Sequence, residues 1–381
     1  AVTPVQVKPA ADGLIANDSL LLSLLNGLPP QFDSIRTQPD KYRLQIIYTQ
    51  IDRDAQNTPT FTHRFFNHNP ELYFYPASTV KLPLAALALE KIGAWKTESL
   101  DAHTAMITER AGPRLTAVYN DPSSGNGKPS VAQYIKKILL VSDNDAANRL
   151  YELIGQEGVN QRLHQMGYST AQILHRLGIG LNDAENRTAN EIRFFSDSGR
   201  LLHTVPQRNS ALVYQSRNTK LGKAYLSGGK RVETPFDFSV KNRLLLTDLH
   251  SMVQAIMFPD EVSKSQRFRL TENDYFLLRR YMALWPRESD YPQYDSSITD
   301  GYVKFLLMGG GGANTRPGLR IFNKVGDAYG FLTDAAYVVD FEKGIEFMLS
   351  ATIYCNSDDT FNDDCYDYDT VGFPFMKAIG E

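Results

Sequence analysis

The chain has 381 residues, 42% hydrophobic and 22% charged, with a formal net charge of −3 at pH 7. This is the balance of an ordinary folded chain, long enough for one large domain or two sharing a core. It gives no reason to expect nucleic acid or an anionic membrane surface as partner, and no apolar run approaches the roughly 20 residues of a membrane span.

Residues 1–17 read as a poorly ordered lead without the basic and apolar regions of a signal peptide. The expectation is a mature secreted or periplasmic form, with a signal or a lipid anchor upstream of it. Leu20 to Leu28 predicts a short amphipathic helix stopped by Pro29-Pro30. Tyr42 to Ile51 alternates in part, through Leu44, Ile46 and Tyr48, and predicts a strand. After a turn from Asp52 to Thr58, Phe61 to Phe66 is its hairpin partner.

The middle of the chain reads as helical, over Val80 to Ile92, Val131 to Leu140, Ala146 to Ile154, Val159 to Met166, Asn242 to Met257 and Glu272 to Met282. Residues 184–236, dense in Asn, Arg, Ser and Gly, are the least regular part. Gly309 to Gly312 predicts a flexible joint; no Lys-Ser/Thr pair follows it to open a helix, so it is not a phosphate cradle. Strands return at Leu319 to Phe322, Asp334 to Phe341 and Ile345 to Tyr354, the last two joined across Glu342-Lys343-Gly344. A final helix follows Asp369.

Strands at both ends and helices between them predict an α/β (α+β) fold, with one antiparallel sheet built from both termini, flanked by helices, and an inserted all-helical region. The expected division is a sheet region of residues 1–70 and 315–381 and a mainly helical region of 71–314, together one compact catalytic unit.

Cys355 and Cys365 are the only cysteines, close together in Asp-rich sequence. Their spacing suits one disulfide in an oxidising compartment, with two free thiols as the other possibility. No metal site is expected: two cysteines without a nearby His fall short of a zinc shell, and the seven histidines show no paired spacing and read mostly as surface or helix-face residues. The six aspartates between Asp358 and Asp369 lack the spacing of a calcium loop and read as a solvated segment.

Three short motifs carry the chemistry. Ser78-Thr79-Val80-Lys81 opens an apolar helical run, and a spacing of three puts the hydroxyl and the amine on one helix face. A serine is a weak nucleophile until a base takes its proton, and a lysine serves once burial lowers its pKa. Ser142-Asp143-Asn144 lies between two predicted helices. It reads either as a proton relay with a substrate-holding amide, or simply as a helix N-cap. Lys324-Val325-Gly326 ends a strand before Asp327. Lys324 there would attract a substrate carboxylate, and the small Gly326 would let a substrate lie along the strand edge; the plain alternative is a surface strand end.

Together and in this order the three motifs resemble those of the class A β-lactamases and penicillin-binding proteins. Arg176-Leu177-Gly178-Ile179-Gly180-Leu181-Asn182 looks like the start of that family's Ω-loop, and Thr234-Pro235 like its exit, so the resemblance spans roughly residues 20–381. It implies that Ser78 is the acylated nucleophile, Lys81 its base or relay, and Ser142 an aid to proton transfer. Asn144, Asn182 and Lys324 would bind substrate, and the backbone N–H groups of Ser78 and Asp327 would form the oxyanion hole. It further implies a small-molecule or cell-wall peptide substrate, a monomer, and no cofactor.

Two positions depart from the pattern. Gly178 stands where the family carries the glutamate that activates the deacylating water, and Val325 replaces the usual Thr or Ser. About 50 extra residues also separate Asn182 from Thr234, an insertion at 184–233. The first reading is therefore a serine acyl-transfer hydrolase acylated at Ser78 by an amide or ester, β-lactam or D-alanyl-peptide-like. The others are a true β-lactamase borrowing Glu185, Glu191 or Glu233 as base, and a non-catalytic peptidoglycan- or ligand-binding module on the same fold.

Overall fold

In the computed structural model, which describes residues 15–96, 99–312 and 315–381, the chain divides into two units. Unit 1 runs up to Thr79 and includes Gln215–Gln254 and Asp300–Glu381; unit 2 comprises Val80–Tyr214 and Ala255–Thr299. Residues 1–14 of the expected lead lie outside the described residues. The helices are α1 (Ser19–Asn26), α2 (Asp33–Thr37), α3 (Lys81–Ala94), α4 (Val131–Val141), α5 (Asn144–Ile154), α6 (Gln156–Gln165), α7 (Asp183–Arg187), α8 (Leu246–Met257), α9 (Glu272–Ala283) and α10 (Phe373–Gly380).

Unit 1 is built on a five-stranded antiparallel sheet of β1 (Gln45–Arg53), β2 (Pro59–Phe66), β3 (Leu319–Ala328), β4 (Phe331–Asp340) and β5 (Ile345–Tyr354), in the order β3-β4-β5-β1-β2. Both chain ends thus feed one sheet. All ten residues of β4 are buried, so this strand is covered on both faces. β3 lies at the sheet edge, which leaves one side of it without a strand partner.

β3 and β4 are longer than the sequence pattern indicates, because Ala328 pairs with Phe331 across a two-residue turn at Tyr329-Gly330. Both turn residues have positive φ, +55° and +78°, as a tight hairpin requires. A tyrosine in that conformation is unusual, which hides the turn from a sequence reading.

The sheet unit takes in Gln215–Gln254 as well, a stretch the sequence places with the helical region. The cause is aromatic packing: Phe236 and Phe238 join a cluster with Tyr73, Tyr75, Phe331, Tyr354 and Phe361. His68 and His250 are also buried here rather than at the surface. Both cysteines are free thiols, Cys355 buried and Cys365 exposed, so the expected disulfide is not formed.

Unit 2 centres on α3. Residues Lys81 to Glu90 are all buried, which is the pattern of a helix apolar all round. Pro83 is tolerated because the first-turn N–H groups have no intrahelical partner. The strands Ala105–Thr108, Ile192–Phe195 and Leu201–Val205 form a small antiparallel sheet in this unit that the sequence pattern does not reveal.

Candidate active site

The nucleophile candidate sits on a short 3-10 turn, Ala77–Val80, that leads directly into α3. Ala77 has φ +45°, a strained value for a residue with a Cβ. Thr79 N–H and Thr79 Oγ1 both donate to Pro76 O, at 3.0 and 2.6 Å, and tie the turn to itself. Ser78 is half-buried.

In the same unit, the Lys324-Val325-Gly326 segment of β3 lies against this turn. A Cβ on Gly326 would fall 2.6 Å from Pro76 O, 2.8 Å from Ser78 N and 2.9 Å from Thr79 N, so only glycine lets the strand approach. Lys324 is 2% exposed, and its Nζ donates to Val325 O at 2.9 Å. Burial lowers its pKa to about 7, against the opposing pull of Asp327 and Asp334. Val325 is buried, and Asp327 is exposed at the strand end.

Three residues after Ser78, Lys81 begins α3 with 0% exposure. A buried amine needs polar partners, and it finds them at the α4–α5 junction of unit 2. Lys81 Nζ donates to Asn144 Oδ1 at 2.7 Å, to Ser142 Oγ at 3.1 Å, and to the Ser142 carbonyl. Ser142 caps the C-terminus of α4 with φ +57°, a left-handed turn of the chain at this residue. Asp143 between them N-caps α5, accepting from Ala146 N at 2.8 Å. The middle residue of the motif therefore caps the helix, while its outer residues hold Lys81.

The loop that begins at Arg176 packs on α5. Buried Arg176 donates to Glu152 Oε1 at 3.0 Å, to Glu185 O at 2.9 Å and to Thr188 O at 2.7 Å, drawing the loop closed within a dozen residues. Asn148, one turn before Glu152, exchanges two hydrogen bonds with Leu177, at 2.9 and 2.8 Å. Asn148 and Glu152 escaped the sequence reading. Their signal was available as polar residues four apart on an otherwise apolar helix face.

Gly178 has φ +68°, and a Cβ there would fall 2.6 Å from Asn144 Nδ2. Gly178, where the resemblance would set a glutamate, is thus packed against the amide that holds Lys81. Asn182, expected to meet substrate, instead N-caps α7 in a capping box with Glu185. Glu185 is also paired with Arg114 at 3.3 Å, Glu191 with Arg193 at 2.7 Å, and Glu233 with Arg231 at 2.8 Å. Each substitute base considered from the sequence already has a cationic partner.

No group of three or more His, Cys, Asp or Glu that could hold a metal ion occurs among the described residues. None of their helices is long and apolar enough to cross a membrane.

Residues 40–218 match a family model described as the β-lactamase enzyme family. Among solved structures, the protein PBP-A is 15% identical, with 97% of this chain and 96% of that chain covered and a TM-score of 0.50. A β-lactamase from Xanthomonas campestris pv. campestris str. ATCC 33913 is 16% identical, with 96% of this chain and 97% of that chain covered and a TM-score of 0.50. At such identities the likeness is one of fold: the chain has the β-lactamase/transpeptidase-like fold. No curated protein matches it.

Proposed function

We propose that this β-lactamase-like serine hydrolase takes an acyl group onto Ser78 from a small amide or ester, of β-lactam or D-alanyl-peptide type, and releases it slowly or to an acceptor other than water. One observation carries the reading. The lysine one helical turn after Ser78 is wholly buried and is held by Ser142 and Asn144.

In this reading Lys81, which as an ammonium donates all three of its N–H groups, acts after losing one proton: Ser78 Oγ attacks the substrate carbonyl carbon while its proton passes to the neutral Lys81 amine. The Ser78 and Asp327 N–H groups stabilise the oxyanion. As the tetrahedral intermediate collapses, the C–N or C–O bond breaks. The proton moves from Lys81 through Ser142 Oγ to the departing nitrogen or oxygen, and the acyl group stays on Ser78 as an ester. Asn144 orients the substrate amide and Lys324 meets a substrate carboxylate.

Deacylation by water needs a base, and Gly178 offers none. With Glu185 and Glu191 engaged by arginines, slow release or transfer is the better-supported outcome. The proposal includes a secreted or periplasmic location and a monomeric state.

The test is intact-mass spectrometry after incubation with penicillin G and with a generic activated ester. The expected result is a stoichiometric adduct that is absent in Ser78→Ala, with little turnover of nitrocefin. Failure to label Ser78 with either reagent defeats the reading; rapid turnover without adduct defeats its second half.

A further inference from the structure

Charge is unevenly spread along this chain. Residues 215–243 carry seven lysines and arginines against Glu233 and Asp237 alone, in a protein whose net charge is −3. Such a basic stretch is bland when it is solvated or internally neutralised. Here Arg231 is paired with Glu233, but Lys241 has no carboxylate partner among the described residues.

Lys241 is placed over aromatic rings instead. Its Nζ lies 5.7 Å from the centroid of Phe236 and 5.8 Å from that of Tyr329. Both rings are half-buried, tilted towards each other with centroids 5.4 Å apart. Together they make a partly exposed apolar ledge with a positive charge above it.

The ledge is continuous with the nucleophile turn inside unit 1. Tyr329 makes an edge contact with Tyr75 at 5.0 Å, and Tyr75 is three residues before Ser78. Tyr329 itself follows Gly326-Asp327-Ala328, the end of the strand that lies against Ser78. The Asp-rich loop nearby is bound to strand Ala224–Ser227 through Thr360 and Phe361, and forms no ion pair with Lys241 among the described residues.

We infer that Phe236, Tyr329 and Lys241 form a specificity site for acyl donors whose side chain joins an apolar or aromatic body to an anionic group. The rings take the apolar body and the ammonium takes the anion, which replaces the carboxylate Lys241 lacks. Phe236 and Lys241 belong to the stretch between Gln215 and Gln254, outside the three motifs. The inference rests on acylation at Ser78, and the experiment separates the two.

Penicillin G and carbenicillin differ by one carboxylate on the phenyl-bearing side chain, so the ratio of their rates of Ser78 adduct formation reads the anion contact alone. In the wild type carbenicillin is expected to react about three- to five-fold faster, the scale of one partly exposed ion pair. That advantage shrinks in high salt. In Lys241→Ala the ratio falls towards unity, and in Phe236→Ala both rates drop. A wild-type ratio at or below unity, or a ratio unchanged in Lys241→Ala, overturns the inference. Where neither penicillin nor the activated ester labels the wild type, the acylation reading fails; wherever the penicillins give no adduct, calorimetric titration with phenylmalonate decides on the site: weaker binding to Lys241→Ala upholds it, whereas equal or absent binding overturns it.

Discussion

Gly178 and Asn144 meet so closely that a methyl group between them forces one to move. The Cβ of an alanine at 178 would stand 2.6 Å from Asn144 Nδ2, on a backbone already at φ +68°. Gly178→Ala is therefore expected to cost about 1–2 kcal/mol, from left-handed strain and displacement together. It should lower Tm and also slow acylation, because Asn144 Oδ1 is a ligand of Lys81. Gly178→Glu meets the same obstacle and is expected not to raise nitrocefin turnover. An unchanged Tm in Gly178→Ala would show that the loop yields freely. Lys324 presents the opposite case, a residue kept at an energetic cost. Burial holds its pKa near 7 in the fold, against the 10.5 of an ordinary lysine. Between those values the unfolded chain carries a proton that the native chain has given up, so stability rises with pH from about 7 to 10.5. At neutral pH and below, the buried charge costs on the order of a few kcal/mol. Lys324→Met should raise Tm near neutral pH. The same substitution should weaken KM for carboxylate-bearing substrates and remove its rise as pH passes through about 7.

α5 works as a shelf for the loop behind the site. Asn148 and Glu152 hold Leu177 and Arg176 from successive turns, and Arg149 adds a second guanidinium on Glu152 at 3.0 Å. Removing the carboxylate leaves buried Arg176 without its counter-ion and Arg149 with Asp145 alone, at 2.9 Å, which costs about 3 kcal/mol. Glu152→Gln is expected to speed amide hydrogen exchange across Leu177 to Thr188 before it affects β3 to β5. Uniform acceleration over the whole chain would instead mark Glu152 as a general stability residue. This element also shows where sequence reading runs out. The contact of Lys81 with Ser142 and Asn144 was legible only from the order of the motifs, since 61 and 63 residues separate the partners. The early return of the loop at Thr188 was not, because it depends on Arg176 reaching backbone carbonyls 9 and 12 residues ahead. Asn182 was misplaced for a related reason: its side chain serves the local cap of α7, an interaction whose signal, Asn followed three residues later by Glu, was in plain view.

Across the molecule, the sheet from both chain ends was legible as strands framing a helical middle, whereas the 215–254 stretch joined the sheet unit through aromatic contacts that carry no period. A buried polar chain in that unit sets how stability depends on pH. His250 Nδ1 is 2.8 Å from Ser350 Oγ, and Thr49 Oγ1 lies 2.7 Å from both His250 Nε2 and His63 Nδ1. A neutral imidazole suits this chain, since each ring nitrogen can then donate or accept in turn. Burial lowers His63 to about 4 and His250 to about 3, with His63 adding to the effect on His250. Below the ordinary value of 6.5 the unfolded chain takes up two protons that the native chain refuses. Stability is thus fully present above about 6.5 and is lost as pH falls towards 4 and 3, by up to about 1.4 kcal/mol per pH unit for each histidine. Asp248 opposes this. Burial raises its carboxyl to about 7, so from 3.8 to 7 the native chain holds a proton the unfolded chain has released, and stability falls as pH rises. For these three groups two protons outweigh one, and their net slope between about 4 and 6.5 favours higher pH; His68, lowered by burial, adds to it, and Glu152 and Asp334, raised by burial, subtract from it. Thermal melts followed by circular dichroism over that range should show Tm rising with pH. His250→Gln should flatten the rise, and Asp248→Asn should steepen it. A His250→Gln slope equal to that of the wild type would mean that His250 is protonated inside the folded protein.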